Sequence, residues 1–381
     1  MKITDIKVYK IKPRWIFIKI STDEGIDGWG EMISGTKTET VVAGAYEMGK
    51  RIIGRNPFEI ERIWQELHRS FFRGGPINGT IVSGIEMALW DIKGKYFDVP
   101  VYELLGGAAR DNIKVYSWIG GDRPDEVLTE AMDRYDRGFR AVKMNATQEL
   151  HYIDSFKEVQ KVVDRVASIR EKLGFDMEIA VDFHGRVHKP MAKVLAKELE
   201  PLKPMFLEEV VLPENEEAFS EIAQHISTPL ATGERLYTRW AFKNIFKQGS
   251  IDIIQPDVAL VGGILETKKI AAMAEAYDVA VAPHAPYGPI ALAATLQVDA
   301  CTPNVFIQEQ SLGIHYNKGF DLLDFVHNKD IFQYKDGFVN LPTKPGLGLE
   351  LNEELIEDIS QEGLIWTNPQ WENYDGTIAE W

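Results

Sequence analysis

The chain has 381 residues, 45% of them hydrophobic and 26% charged, a composition that suits a soluble globule able to bury a large core without disulfides. Its 42 Lys and Arg against 58 Asp and Glu give a formal charge of −16 with no basic block, which disfavours a nucleic-acid partner. One cysteine, Cys301, excludes an internal disulfide framework, no run approaches the ~20 apolar residues of a membrane span, and the N-terminus lacks the apolar stretch of a signal peptide, so a cytoplasmic protein is expected.

Residues 2–10 and 15–21 alternate as strands, and the glycines of GIDGWGEM (25–32) read as turns or bulges. Helical stretches follow near 39–52, 57–70 and 80–95, the last with Ile81, Ile85, Ala88, Leu89 and Ile92 at helical spacing. From about residue 113 short apolar strands alternate with helix-length segments. The strands fall at 113–118, 141–145, 178–183, 205–209, 229–234, 252–257, 279–284 and 304–309, with helices such as 149–173, 190–200 and 263–277 between them. Eight such repeats are what a (β/α)₈ barrel requires. The expected organisation is an α+β unit over 1–112, a barrel over 113–318 and a segment, 319–381, that returns to cover the first unit or the barrel rim.

Reacting groups of such a barrel sit where its strands end. Those ends carry Lys143, Asp182 with His184, Glu208, Glu234, Asp257, His284 and Glu309. Asp182, Glu208 and Glu234 are spaced by 26 and 26 residues, and Asp257, His284 and Glu309 follow at 23, 27 and 25. Each step is one strand plus one helix, so the side chains converge on one mouth. One carboxylate at a strand end is ordinary; three on adjacent strands cannot all stay ionised without a compensating charge. A hard divalent cation such as Mg²⁺ supplies it, and the absence of nearby Cys argues against a structural zinc site. Asp257 can orient His284 as a base, while His184, two residues beyond Asp182 on the same strand, points the same way and can serve as an acid. Glu309, protonated by its acidic neighbours, is a candidate donor to an oxyanion. Arg14 and Trp15 in PRW (13–15) and Arg73 in FFRGGP (71–76) are placed to reach over the mouth toward an anionic substrate.

The order of Asp-x-His (182–184), Glu-Glu (208–209), Gly-Glu-Arg (233–235), Gln-Pro-Asp (255–257) and Pro-His (283–284) resembles the mandelate racemase branch of the enolase superfamily. SWIGGDRP (117–124), DFHGRVHKPMAKVL (182–195), QEQSLGIHYNKG (308–319) and TKPGLG (343–348) resemble the galactonate dehydratase group within it. The resemblance implies an α/β fold, a modified TIM barrel with an N-terminal α+β capping domain completed by the C-terminal segment. It implies one Mg²⁺ on Asp182, Glu208 and Glu234, proton abstraction by His284 paired with Asp257, protonation of the departing 3-hydroxyl by His184, and stabilisation of the intermediate by Glu309. The expected substrate is a sugar acid, D-galactonate first and D-gluconate or another aldonic acid second, and the expected assembly a homo-oligomer. Lys143 and Asn145, ending the second barrel strand, are further substrate-binding candidates. Racemases of the branch carry Lys-x-Lys where this chain has Lys143-Met144-Asn145, which removes a base from one face and favours dehydration over epimerisation. Val210 stands where Glu-Glu-Pro is usual. A binding protein on a decayed barrel is the weakest reading, since ligands, bases and spacing are all kept.

Overall fold

The computed structural model describes residues 1–381 apart from 34, 71, 72, 74, 122, 123, 125, 149, 365 and 381. Strands β1 (Ile3–Ile11), β2 (Trp15–Thr22) and β3 (Gly28–Ile33) form an antiparallel meander, followed by helices α1 (Thr38–Gly49), α2 (Ile60–Arg69) and α3 (Gly75–Phe97). Of the glycines of GIDGWGEM, Gly25 takes the turn between β2 and β3 at φ +74°, whereas Gly28 and Gly30 serve packing in a strand. A Cβ on Gly28 or Gly30 would overlap the backbone carbonyl of Ala88 or Gly84, so their bareness lets α3 lie flat on β3.

The barrel strands are β4 (Asn112–Ile119), β5 (Ala141–Asn145), β6 (Glu178–Asp182), β7 (Leu207–Glu208), β8 (Leu230–Thr232), β9 (Ile253–Ile254), β10 (Ala280–Val281) and β11 (Gln308–Gln310). They pair in parallel in chain order, β11 returns to β4, and a parallel bridge between Val281 and Val305 joins the remaining edges. Helices α4 (Val127–Asp136), α5 (Phe156–Leu173), α6 (Lys189–Leu199), α7 (Ala218–Ala223), α8 (Thr238–Gln248), α9 (Ile264–Glu275) and α10 (Pro289–Ala300) occupy the seven intervals. Among the described residues no α-helix directly follows β11, so the eight repeats expected from the sequence become (β/α)₇β. Helix α5 begins later than 149, because the Asp154 carboxylate accepts from the Ser155 and His151 amides and holds a turn there. Tyr116, Phe206, Ile253 and Ile307 interleave with Ala141, Ala180, Ala231 and Ala282 to fill the barrel. With its interior packed, only the mouth is left for chemistry.

After β11 the chain runs back. Strand β12 (Phe338–Asn340) pairs antiparallel with β4, and helix α11 (Glu353–Gln361) lies along β1. Ion pairs Lys7–Glu357 at 2.7 Å and Lys19–Glu353 at 2.8 Å join α11 to the meander, and Lys12 pairs with Glu362 just beyond it. No described helix is long and apolar enough to cross a membrane.

Candidate active site

The carboxylates of Asp182, at the end of β6, Glu208, at the end of β7, and Glu234, two residues past β8, present oxygens all within 4.8 Å of one another. The chain leaves these strands in left-handed conformations, with φ of +57° at His184 and +45° at Glu209. Such non-glycine backbone is costly and clusters where function requires it. His184 therefore reaches Asp182 by a turn and not by strand alternation, which ends at Asp182. Its amide donates to Asp182 Oδ1 at 2.6 Å and its Nδ1 lies 3.1 Å from Oδ2. Arg235 clamps that turn, donating from Nε to Glu209 Oε2 at 2.5 Å and from Nη2 to the His184 carbonyl at 3.0 Å.

Lys143 Nζ, buried on β5, sits 2.7 Å from Glu208 Oε1 and 3.1 Å from Glu309 Oε1, and Gln255 Nε2 donates to Glu208 Oε2 at 2.6 Å. Across the mouth, His284 Nδ1 lies 2.7 Å from Asp257 Oδ2, which leaves Nε2 facing inward, 3.4 Å from Glu234 Oε2 and 3.9 Å from Glu309 Oε2. Glu309 Oε2 also accepts from the Ala285 amide at 2.9 Å. Both Glu309 oxygens thus act as acceptors in this arrangement.

Lys143 sits among four carboxylates, Asp182, Glu208, Glu234 and Glu309, with Asp257 on the far side of His284. Burial opposes the charge on Lys143, but Glu208 and Glu309 outweigh it and hold the ammonium well above the ordinary lysine value. Burial, and then the Asp182 carboxylate, push Glu208 well above the carboxylate range even though Lys143 pulls it down. Burial opposes charge on His284 as well, yet Glu234, Glu309 and Asp257 raise it to about 10. Burial lowers His184 despite Asp182. The cluster is short of positive charge. The residues fit a hard divalent cation: three all-oxygen donors, with Glu234 Oε2 buried and accepting no hydrogen bond among the described residues.

A cavity of about 80 Å³ at the mouth is lined by Arg14, Lys143, Asp182, His184, Glu234, His284 and Glu309, together with Trp118, Pro286, Tyr287 and Tyr316. The last four were missed in the sequence, although Tyr287 lies only three residues past His284. The Arg14 guanidinium stacks over the Tyr316 ring at 4.5 Å and donates to the Pro286 carbonyl. Trp15 corrects the expectation. It is 1% exposed and packs edge-on against Phe325 at 5.3 Å, facing the core of the N-terminal unit while its neighbour Arg14 faces the mouth. Arg73 is exposed and does not line the cavity, and Phe71, Phe72 and Gly74 of the same motif lie outside the described residues, as do Asp122 and Arg123 of SWIGGDRP. Asn145 is fully buried beside the cavity rather than lining it, donating toward the Gly121 carbonyl at 3.4 Å.

Residues 9–106 match the mandelate racemase/muconate lactonizing enzyme N-terminal domain, and residues 126–355 the enolase C-terminal domain-like family. The chain is 51% identical to a D-galactonate dehydratase of Pectobacterium atrosepticum and 50% identical to one of Cronobacter sakazakii, each over the whole of both chains. An enolase from Agrobacterium radiobacter, solved with sodium and L-malate, superimposes with a TM-score of 0.90 at 32% identity, covering 100% of both chains.

Proposed function

The chain belongs to the enolase superfamily, in its mandelate racemase/muconate lactonizing enzyme branch, and from that premise we propose that it is a Mg²⁺-dependent hydro-lyase converting D-galactonate to 2-dehydro-3-deoxy-D-galactonate and water. The observation that carries this reading is the Asp257–His284 pair with Nε2 toward Glu234 of the carboxylate triad; it is joined by Asn145 standing where a second lysine would be needed for a base on the other face. Asp182, Glu208 and Glu234 would hold the cation, and when bound it supplies positive charge to the substrate carboxylate and to the enediolate.

The chain's own groups do the rest. Glu234 and Glu309 hold the His284 ring protonated in the metal-free site; with Glu234 engaged in holding the cation the ring would be free to lose that proton, and Nε2 then takes the C2 proton, with Asp257 fixing the ring's tautomer and stabilising the imidazolium. The electron pair left on C2 forms the C2–C3 double bond as the C3–O bond breaks, and His184 gives its proton to the departing hydroxyl. Proton return to C3 converts the resulting enol to the 2-keto acid. Burial keeps the His184 ring neutral in the described arrangement; an anionic substrate beside it favours the protonated form that donation needs. Arg14 and Tyr316 at the cavity wall would face the hydroxylated end of the acid.

The test is a keto-acid assay over a panel of aldonic acids, with Mg²⁺ and with chelator. Metal-dependent product from D-galactonate is expected. Product from another acid alone would overturn the substrate and keep the chemistry, and solvent exchange of the C2 proton without elimination would overturn the reaction class.

A further inference from the structure

The two halves of the site are supported from different places. The triad is braced within the barrel, by Lys143, Gln255 and the Arg235–Glu209 pair. The loops that follow the two members of the Asp257–His284 pair are gripped instead by the N-terminal unit. Beyond His284, Glu31 on β3 accepts from the Gly288 amide at 2.7 Å and from the Ala291 amide, in the first turn of α10, at 2.9 Å. Beyond Asp257, the carboxylate of Glu86 on α3 accepts from the Ile264 and Leu265 amides that open α9, at 2.7 and 2.9 Å, and Ser83 Oγ accepts from the Gly262 amide at 2.9 Å. Glu31 and Glu86 are 1% and 2% exposed, so neither carboxylate has water to replace these donors. Gly288 is part of the same fit: a Cβ there would sit 2.6 Å from Glu31 Oε1.

We propose that Glu31 is a positioning residue of the reaction, holding the 284–291 loop so that His284 stays hydrogen-bonded to Asp257 with Nε2 toward the substrate; Glu86 and Ser83 do the same for the Asp257 loop. The proposal rests on the hydro-lyase reading above. It assigns to the N-terminal unit the alignment of the base, in addition to covering the mouth. A carboxylate accepting from two backbone amides on a neighbouring element sets that element's place firmly, and small misplacements of a base are costly in rate.

The experiment compares the full-length wild type with Glu31→Gln, which turns one acceptor into a donor aimed at an amide, and with Gly288→Ala, which disturbs the same contact from the loop side. In both, kcat should fall by about 10- to 100-fold and the isotope effect with C2-deuterated substrate should rise, while KM and Mg²⁺ half-saturation stay within about two-fold. Ser83→Ala, losing a single acceptor, supplies a milder case of the same pattern should the larger changes impair folding. Unchanged kcat, or kcat falling in step with Mg²⁺ affinity, would overturn the proposal. If the wild type acts on no aldonic acid, the hydro-lyase reading is what fails. The placement of His284 is then still read from the NMR signal of its Nδ1 proton, which should shift in Glu31→Gln and whose constancy would overturn the inference.

Discussion

Replacing Lys143 by Met removes the ammonium that faces Asp182, Glu208, Glu234 and Glu309 while keeping much of its apolar volume. Lys143 is 2% exposed and contacts Glu208 at 2.7 Å and Glu309 at 3.1 Å, so the change strands two buried anions. Breaking a buried pair from one side costs about 3–5 kcal/mol. For a chain of 381 residues, at about 2.1 cal/mol/K of unfolding entropy per residue, that corresponds to a fall in Tm of about 4–6 °C in chelator. The loss should grow with pH, because at low pH Glu208, already pushed up by burial and Asp182, can take a proton and relieve the stranded charge. A divalent cation on the triad answers the same deficit, and at a hundred times its Kd it restores about 2.7 kcal/mol. The assay is thermal melting of both proteins at pH 5 to 8, in chelator and in Mg²⁺. The Mg²⁺-induced rise in Tm should be larger in Lys143→Met than in the wild type. Equal melting of the two proteins in chelator, or an equal response to metal, would refute the charge accounting.

His284→Asn should lower turnover by about 10² to 10⁴ with Mg²⁺ binding by calorimetry nearly unchanged; full activity would remove His284 as the base. The imidazole of His284, raised to about 10 mainly by the Glu234 and Glu309 carboxylates against burial, should titrate at lower pH once Mg²⁺ occupies the triad, as followed by NMR. An unmoved titration would place the cation elsewhere. Glu86 is raised by burial to about 8 from an ordinary 4.5, so the folded state holds its proton more tightly than the unfolded chain. Its contribution is fully present below about pH 4.5 and is lost as pH rises toward 8, up to about 5 kcal/mol at about 1.36 kcal/mol per unit. Glu86→Gln should flatten the fall of Tm between pH 5 and 8, and an unchanged slope would refute the assignment.

The barrel was legible because strand-end chemistry repeats with the strand–helix period, and Asp182, Glu208 and Glu234 could be placed together by counting. The missing eighth helix was not, since the segment after β11 keeps apolar residues that serve the N-terminal unit instead. The glycines at 28 and 30 misled in the opposite direction, because bareness needed for helix packing looks like bareness needed for a turn. Trp15 shows the limit of motif reading: beside Arg14 in sequence, it faces the other way. Glu31 and Glu86 carry no spacing signal for this role, because the loop amides they hold are more than 170 residues away. Only the assembled fold brings those groups together.

The return of α11 to β1 has a consequence for how the molecule is made. Lys7 and Glu357 are 350 residues apart, so the meander leaves the ribosome long before the helix that covers it. Until the segment after β11 arrives, Trp15 and Phe17 of that meander lack the Phe325 ring that packs against both, and until α11 arrives β1 lacks the helix that lies along it. Non-local closure of this kind slows folding and leaves apolar strands open to misassociation in the meantime. A chain stalled or clipped before residue 350 would hold the triad's residues yet leave β1 without α11. Sequence alone would class such a fragment as catalytically equipped, although the strand its missing helix should cover is left exposed, the condition that promotes misassociation.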